Sequence, residues 1–471
     1  MHDIPARSLT KEFENARLGD PRRTRRLVRL AQGVSSDPAA SFPSLARSDA
    51  ELEATYRFLS NPHVNWRDIL APHLAATAER AWQQEEILVV HDTTELHFPG
   101  RARRKGLGHM SNQSQGFFAH TALAVAADGS RLPLGVLGLS LKFRSRPRRK
   151  LTASQAVRAS AAKRQCDKES DRWRVLAEQT ETHLQGKTQA IHVMDREADN
   201  YYLFAAFAQR HSRFVVRADA NRILGPDDTP RLFEAVAQME GHPFREITIS
   251  ARQHRYEGKR TKAFPNRRSR QARLCVRARQ IQLPRPQRSP SPMPHVTVNV
   301  VQVYEPDPPA AEQPIEWVLL TSEPITTLAD ITRVVDFYCA RWVIEDFFKA
   351  LKTGCAYEQR QLTSAHALTN TLALFMPAAW YLLLLRAVAR QSPERPASPL
   401  LLRPQQLVLL RAICERVPLG DNPTAQQVLL AIAGLGGHLK RNGEPGWQVL
   451  GRGYQALIAA ELGWRAAGRK L

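Results

Sequence analysis

The sequence predicts an α/β protein: a core of mixed β-sheet, interrupted by a β-rich basic insertion and flanked by helical segments at both ends. Three observations predict it. Short apolar runs that end in acidic residues alternate with helical stretches through the first half of the chain. From about residue 225 to 314 the pattern changes to strand-like alternation broken by a proline-rich loop, and the final third reads as long helices. Alternating strand and helix signals call for a sheet covered by helices, and 471 residues suffice for two to four domains with their own cores.

The N-terminal segment is helical. Asp20 can cap, and Pro21 can fill the first turn of, a helix whose Arg22, Arg25, Arg26 and Arg29 share one stripe of about 100°. Leu27, Leu30 and Ala31 lie on another face, as a core stripe would. Four arginines without an acid on that stripe suit DNA contact; a solvated charged face is the plain alternative.

Strand signals follow at Ile87–Val90, ending at His91-Asp92, and at Thr121–Val125 and Leu134–Leu139, which flank the Asp128-Gly129 turn signal. A polar helical segment from Ser154 to Leu184 leads to Ala190–Met194, which ends at Asp195, and Phe214–Arg217 is a further strand. Three antiparallel strands, a helix, a strand, a helix and a strand make the element order of an RNase H-like mixed sheet.

In the insertion, Val296–Val303 alternates as a strand and Leu283–Pro294 is the proline-rich loop. Lys259 to Arg279 holds at least nine Lys and Arg residues, with Lys259 and Arg260 at its head, and suits contact with a phosphate backbone; an idle basic loop is the alternative. Trp317–Thr321 returns to a strand. Ala373–Leu385 contains Pro377 and reads as a buried helix, shorter than a bilayer requires. The expected divisions are 1–70 (helical), 71–224 (core, first part), 225–314 (insertion), 315–372 (core, second part) and 373–471 (helical).

A formal net charge of +22 predicts a polyanionic partner. Five scattered cysteines, at 166, 275, 339, 355 and 414, form no C-x-x-C pair, which disfavours a zinc ribbon or a disulfide framework and fits a reducing cytoplasm. Residues 1–10 carry no apolar signal-peptide core. A soluble, cytoplasmic, DNA-associated protein without a membrane partner is expected.

Asp92 and Asp195 each follow an apolar run, where a sheet presents polar groups to a ligand, although either alone is more readily a cap or turn residue. Between Val334 and Lys352 no proline or glycine interrupts a helical pattern. Tyr338, Arg341, Glu345, Lys349 and Lys352 then fall within an arc of roughly 80°, with Ile344, Phe347 and Leu351 on another face. One carboxylate between cations on one stripe suits phosphate handling; an Arg341–Glu345–Lys349 surface ladder is the plain alternative. Three carboxylates held together repel and need cations. Hard oxygen ligands select Mg²⁺, or Mn²⁺ in its place, and two such ions about 4 Å apart support phosphodiester chemistry.

These residues resemble the DDE transposases of the IS-four family over nearly the whole chain. The resemblance rests on Asp92-Thr93-Thr94, on Asp195-Arg196-Glu197-Ala198-Asp199, and on Tyr338-x-x-Arg341-x-x-x-Glu345-x-x-x-x-x-x-Lys352. Leu18–Thr24, Tyr56–Phe58 with Asn61-Pro62, Arg213–Arg217 and Glu316–Pro324 add support.

The resemblance implies that Asp92, Asp195 and Glu345 are the catalytic metal ligands for two ions. It implies that Tyr338, Arg341 and Lys352 grip phosphates near the cut, that Trp317 receives a flipped base, and that Arg26 contacts the transposon end. Arg22, Arg217 and Lys349 join the expected DNA contacts. The implied reaction is cut-and-paste transposition of an insertion sequence, by nicking, hairpin formation, hairpin opening and strand transfer. The implied partners are the terminal inverted repeats, target DNA and a second copy of the chain. Gly116–His120 and the last hundred residues depart from the family pattern. A metal-dependent nuclease on the same fold, or an inactive DNA-binding derivative, are the competing readings.

Overall fold

The structure, a computed structural model, describes all residues except 1–8, 101, 111–113, 145–170, 226–228, 253–265, 288, 290, 311, 392–393, 395, 398–401, 403, 440–444 and 468–471. After a 3-10 turn at Leu9–Glu12 come helices α1 (Pro21–Ser36), α2 (Phe42–Leu45), α3 (Asp49–Ser60) and α4 (Trp66–Ala81). Strands β1 (Glu86–Phe98), β2 (Gly108–His109), β3 (Gln115–Ala126) and β4 (Pro133–Lys142) follow, then α5 (Arg172–Leu184), β5 (Gln189–Met194), α6 (Tyr201–Arg210) and β6 (Arg213–Arg217). The next stretch holds α7 (Leu232–Ala237), β7 (His242–Ile249), β8 (Arg270–Pro284), β9 (His295–Tyr304) and β10 (Glu316–Thr321). Helices α8 (Leu328–Ala340), α9 (Trp342–Lys349), α10 (Ala365–Gln391), α11 (Pro404–Ile413), α12 (Ala425–Leu435) and α13 (Trp447–Ala466) complete the chain. The succession from β1 to β6 is the predicted RNase H-like order, and the fold is α/β.

The chain divides into two compact units: one of Met1–Ala162, Leu176–Gln189 and Trp342–Leu471, the other of Lys163–Val175 and Ala190–Arg341. In the first unit, α1 begins as predicted, with the Asp20 carboxylate accepting the Arg22 N–H at 2.8 Å ahead of Pro21. Leu27 and Ala31 are fully buried, while Arg22 and Arg25 are exposed. Strand β1 pairs antiparallel with β3, and β3 with β4 through the Asp128-Gly129 turn, where Gly129 takes φ +84° and the Ser130 N–H donates to Asp128 at 3.0 Å.

Two expectations for this unit are corrected. The boundary at residue 70 falls inside α4, and that at 372 inside α10, because each helix buries a continuous set of residues across it. Nor is α10 short. It runs 27 residues through Pro377, and by length and composition alone could cross a membrane. Of its most apolar stretch 67% is buried within the fold. Its Trp380 indole donates to the Pro133 carbonyl at 2.9 Å, and Asn370 donates to the Leu59 and Val64 carbonyls.

In the second unit β5 and β6 run parallel, joined through α6, and the sheet continues antiparallel in the order β6-β10-β9-β8-β7. The insertion is therefore no separate module. β9 pairs with β10 over Asn299–Tyr304, which removes an edge that would otherwise expose unpaired backbone groups. The basic tract is not all loop either: Arg270–Arg279 lies within β8, whereas Lys259 and Arg260, like Ser154 to residue 170 of the predicted helix, lie outside the described residues.

The expected single helix from Val334 to Lys352 is two helices and a π turn. At Arg341 the backbone keeps helical angles (φ −53°, ψ −33°), but its N–H bonds to the Tyr338 carbonyl at 3.1 Å, an i to i−3 bond that tightens and ends α8. Residues Ala350–Gly354 then widen into the π turn, so the spacing from Glu345 to Lys352 is not that of a straight α-helix.

Candidate functional site

In the first unit, Asp92 lies inside β1 rather than beyond its end. The strand continues because Thr94, Leu96 and Phe98 are buried in alternation with the more open Glu95 and His97, a period of two that carries it six residues past the aspartate. Asp92 is directly opposite Thr121 of β3, and its Oδ1 accepts the Thr93 N–H at 2.7 Å. Thr93 in turn bonds through its hydroxyl to His120 Nδ1 at 2.9 Å, and His120 stacks on the buried His91.

Helix α9 packs against β1 through Ile344 and Phe347, both fully buried, which leaves Glu345 half-buried on the same helix. The sequence therefore separated the core face of this helix from its acid correctly. Lys349 departs from the expected ladder, because it pairs at 3.2 Å with Asp346 and not with Glu345. Lys352 is turned by the π segment onto β1, where its ammonium donates to the Glu95 carbonyl at 2.5 Å and lies 3.9 Å from Glu358. On α1, Arg29 is held by Glu51 of α3 at 2.7 Å, so the arginine stripe meets an acid after all. Arg22 is exposed and Arg26 half-exposed on the same helix.

In the second unit, Asp195 directly follows β5, as predicted, and caps a 3-10 turn by accepting the Glu197 N–H at 2.9 Å. Burial raises its pKa above the usual aspartate value, helped by the neighbouring Glu197 carboxylate. The Glu197 N–H and the positive charges of Arg341 and Arg172 act the other way. Asp199 ties the backbone together instead, since its Oδ2 accepts the Asp219 and Ala220 N–H groups at 2.7 and 3.0 Å and its Oδ1 pairs with Arg222.

Tyr338 and Arg341 are buried, not displayed on an open stripe. The Tyr338 hydroxyl is within hydrogen-bonding reach of both the Arg217 and Arg341 guanidinium groups, and burial pushes its pKa up against their charge. Trp317, on β10, meets Tyr338 edge-on with ring centroids 5.5 Å apart, and the Arg217 guanidinium lies 5.9 Å from its ring centre. The indole is half-buried.

Sequence reasoning missed Arg172, Arg196 and His120. Arg172 lies far along the chain from Asp195, and Arg196, which presses its charge on Arg217, was read only as part of a motif. The pairing of His120 with Thr93 follows only from the strand register.

Asp92 and Glu345 thus belong to one unit and Asp195 to the other, and among the described residues no three His, Cys, Asp or Glu side chains form a metal-holding cluster. The donor chemistry nevertheless fits a hard divalent cation. All three are carboxylates, and Asp195 is a half-buried acid whose charge its neighbours compensate incompletely.

Among solved structures, the chain is similar to the piggyBac transposase synaptic complex with hairpin DNA, at 10% identity and a TM-score of 0.35. The match covers 78% of this chain and 66% of that one. Residues 6–64 match the family described as transposase DNA-binding, and residues 165–380 match the transposase DDE domain. Those two matches take in more than half of the sequence, including Asp195 and Glu345 and the arginine-bearing α1, and the chain belongs to the DDE transposases.

Proposed function

We propose that this protein is a cut-and-paste transposase of the IS-four type that acts as a homodimer on the inverted repeats of an insertion sequence. The observation that carries this reading is Asp195 at the end of β5, among Arg172 and Arg341, in the same unit as the Arg217–Tyr338–Trp317 cluster. A half-buried acid flanked by two guanidinium charges suits a centre that must hold both cations and phosphates. Asp92, Asp195 and Glu345 would hold two Mg²⁺ ions, or Mn²⁺. When bound, such ions activate the attacking oxygen and stabilise the leaving one.

The chain's own residues do the rest. Arg341, Arg217 and the Tyr338 hydroxyl bind phosphate oxygens and fix the strand for in-line attack. Lys352, tied to the main chain of β1, steadies the strand that carries Asp92. The half-buried Trp317 offers an aromatic ring on which a base extruded during hairpin formation can stack. On α1, Arg22 and Arg26 contact the end sequence.

Glu345→Gln is expected to abolish nicking while end binding stays within about twofold, since the side chain keeps its shape and loses its charge. Gel-shift and nicking assays on one preparation check this, and undiminished nicking would remove Glu345 from the site. Asp92→Asn and Asp195→Asn should lose activity likewise, without additivity. Joined products in a reaction with target DNA separate a transposase from a nuclease, which leaves only hydrolysed ends.

A further inference from the structure

Thr121 of β3 lies directly opposite Asp92 of β1, so the two side chains stand on one face of the sheet. Thr121 is fully buried, and its hydroxyl has no hydrogen-bond partner among the described residues. The next pair along the same two strands is satisfied, since Thr93 lies opposite His120 and its hydroxyl meets that ring at 2.9 Å. A buried hydroxyl left unmet costs stability, and this one stands beside a carboxylate expected to hold a cation.

The strand neighbours narrow its partner to one group. On its own strand the same-face residues before and after Thr121 are Ala119 and Leu123, and the residue opposite it on β4 is Leu139. None of these has a polar side chain. Asp92 does, and directly opposed residues carry Cβ atoms about 4.5–5.5 Å apart, a gap that a threonine hydroxyl and an aspartate carboxylate can close by rotation about χ1. In this structure Asp92 Oδ1 is turned to the Thr93 N–H of its own strand at 2.7 Å. An ionised carboxylate has about four acceptor sites, so it can keep that bond, accept a second from Thr121 and still face a cation.

We infer that Thr121 is a positioning residue for the metal centre, its hydroxyl donating to the Asp92 carboxylate when a divalent cation draws that carboxylate into its liganding orientation. This role rests on the reading of Asp92 as a metal ligand. The hydroxyl destabilises the fold slightly and is kept because it fixes the orientation of the ligand in front of it.

Three full-length variants test this without DNA, by melting temperature in the absence of divalent ions and by Mn²⁺ binding read from the EPR signal of the unbound ion. Thr121→Val keeps the shape of the side chain and removes the hydroxyl, so it should melt higher than the parent and bind Mn²⁺ about 10–100-fold more weakly. Thr121→Ser keeps the hydroxyl and loses a methyl group, so it should melt lower and bind Mn²⁺ as the parent does. Asp92→Asn sets the binding that remains once the ligand is lost. In nicking assays Thr121→Val should need correspondingly more Mg²⁺ for its half-maximal rate and approach the parental rate at saturation, a split that a merely structural role would not produce.

A Thr121→Val protein that melts lower than the parent would reveal a hydroxyl already bonded, and one that binds Mn²⁺ like the parent would reveal a hydroxyl without a part in the site; either overturns the inference. So does a Thr121→Ser protein that binds as weakly as Thr121→Val. If Asp92→Asn binds Mn²⁺ like the parent, the reading of Asp92 as a ligand fails and the role of Thr121 with it. Weakened binding in Asp92→Asn but not in Thr121→Val sinks the role of Thr121 alone.

Discussion

Trp317 shows how much one side chain's surroundings decide. Its position in an apolar strand is that of a core residue, yet the ring is half-buried, with Tyr338 at its edge and Arg217 nearby. Stacking of one base on such a face is worth roughly 1–3 kcal/mol. Trp317→Ala is therefore expected to slow hairpin formation by about one to two decades and to spare the first nick. Because the ring is half-buried, the melting temperature should fall by less than the loss of a fully enclosed tryptophan, worth about 3–5 kcal/mol, would cause. Rates of both steps, with a melting curve on the same protein, check it; equal slowing of nicking and hairpin formation would contradict the base-receiving role. A second residue-scale expectation concerns Glu12, which is buried against His73 at 2.5 Å and Arg80 at 2.8 Å. His73 Nε2 accepts the Val136 N–H, so the ring hydrogen sits on Nδ1 and points at Glu12. Despite burial, these partners lower the Glu12 pKa from 4.5 to about 2. A depressed carboxylate pKa contributes stability above pH 4.5 that is lost as pH falls through about 2. Glu12→Gln should thus cost on the order of 1–3 kcal/mol at pH 7 and progressively less below pH 4.5, read from urea melts at both ends of that window.

At the scale of elements, β8 uses its arginines in two ways. Arg277 and Arg279 donate to the Ala237 and Ala235 carbonyls at 2.6 and 3.0 Å, which caps the C-terminal turn of α7, and Arg270 is paired with Glu305 and Glu312. Arg273 instead stands 86% exposed, with only a 3.9 Å contact to Glu246. Arg273→Ala should reduce the salt dependence of DNA binding by about 0.9 in log–log slope and leave the melting temperature unchanged. Arg279→Ala should do the reverse, and a lowered salt slope for Arg279→Ala would show that the strand face itself lies on DNA. Nothing in the sequence distinguishes these arginines, because the acceptors of Arg277 and Arg279 are backbone carbonyls some forty residues away. Helix α1 was legible, since its cap and its two faces are local patterns. So was the end of β5, where a six-residue strand stops at a polar cluster. The end of β1 was not, because the alternation after Asp92 is visible only once Thr94, Leu96 and Phe98 are known to share a buried face. The continuous helix through Glu345 failed for a related reason: a uniform 3.6-residue period conceals a tightened turn at Arg341 and a wide one after Lys349.

At the scale of the whole molecule, the α/β class and the strand order of the core were readable, but the partition of the chain was not. The contact boundary falls between Arg341 and Trp342, inside the most specific motif in the sequence, and the acids are shared between the units. Proximity along the chain therefore gave no guide to membership. Neither did composition, which spreads positive charge through both units.

The π turn at Ala350–Gly354 has a consequence for mutational tolerance. A wide turn accommodates one residue more than an α-helical turn over the same arc, so its length carries information that its side chains do not. Removing Thr353 would let the segment wind as ordinary α-helix and would draw Lys352 off the Glu95 carbonyl, whereas replacing Thr353 by Ala or Ser would leave the winding intact. In a library of single-codon deletions and substitutions selected for folding, positions 350–354 should accept many exchanges and few shortenings, a pattern of indel intolerance that conservation of residue type alone would never reveal.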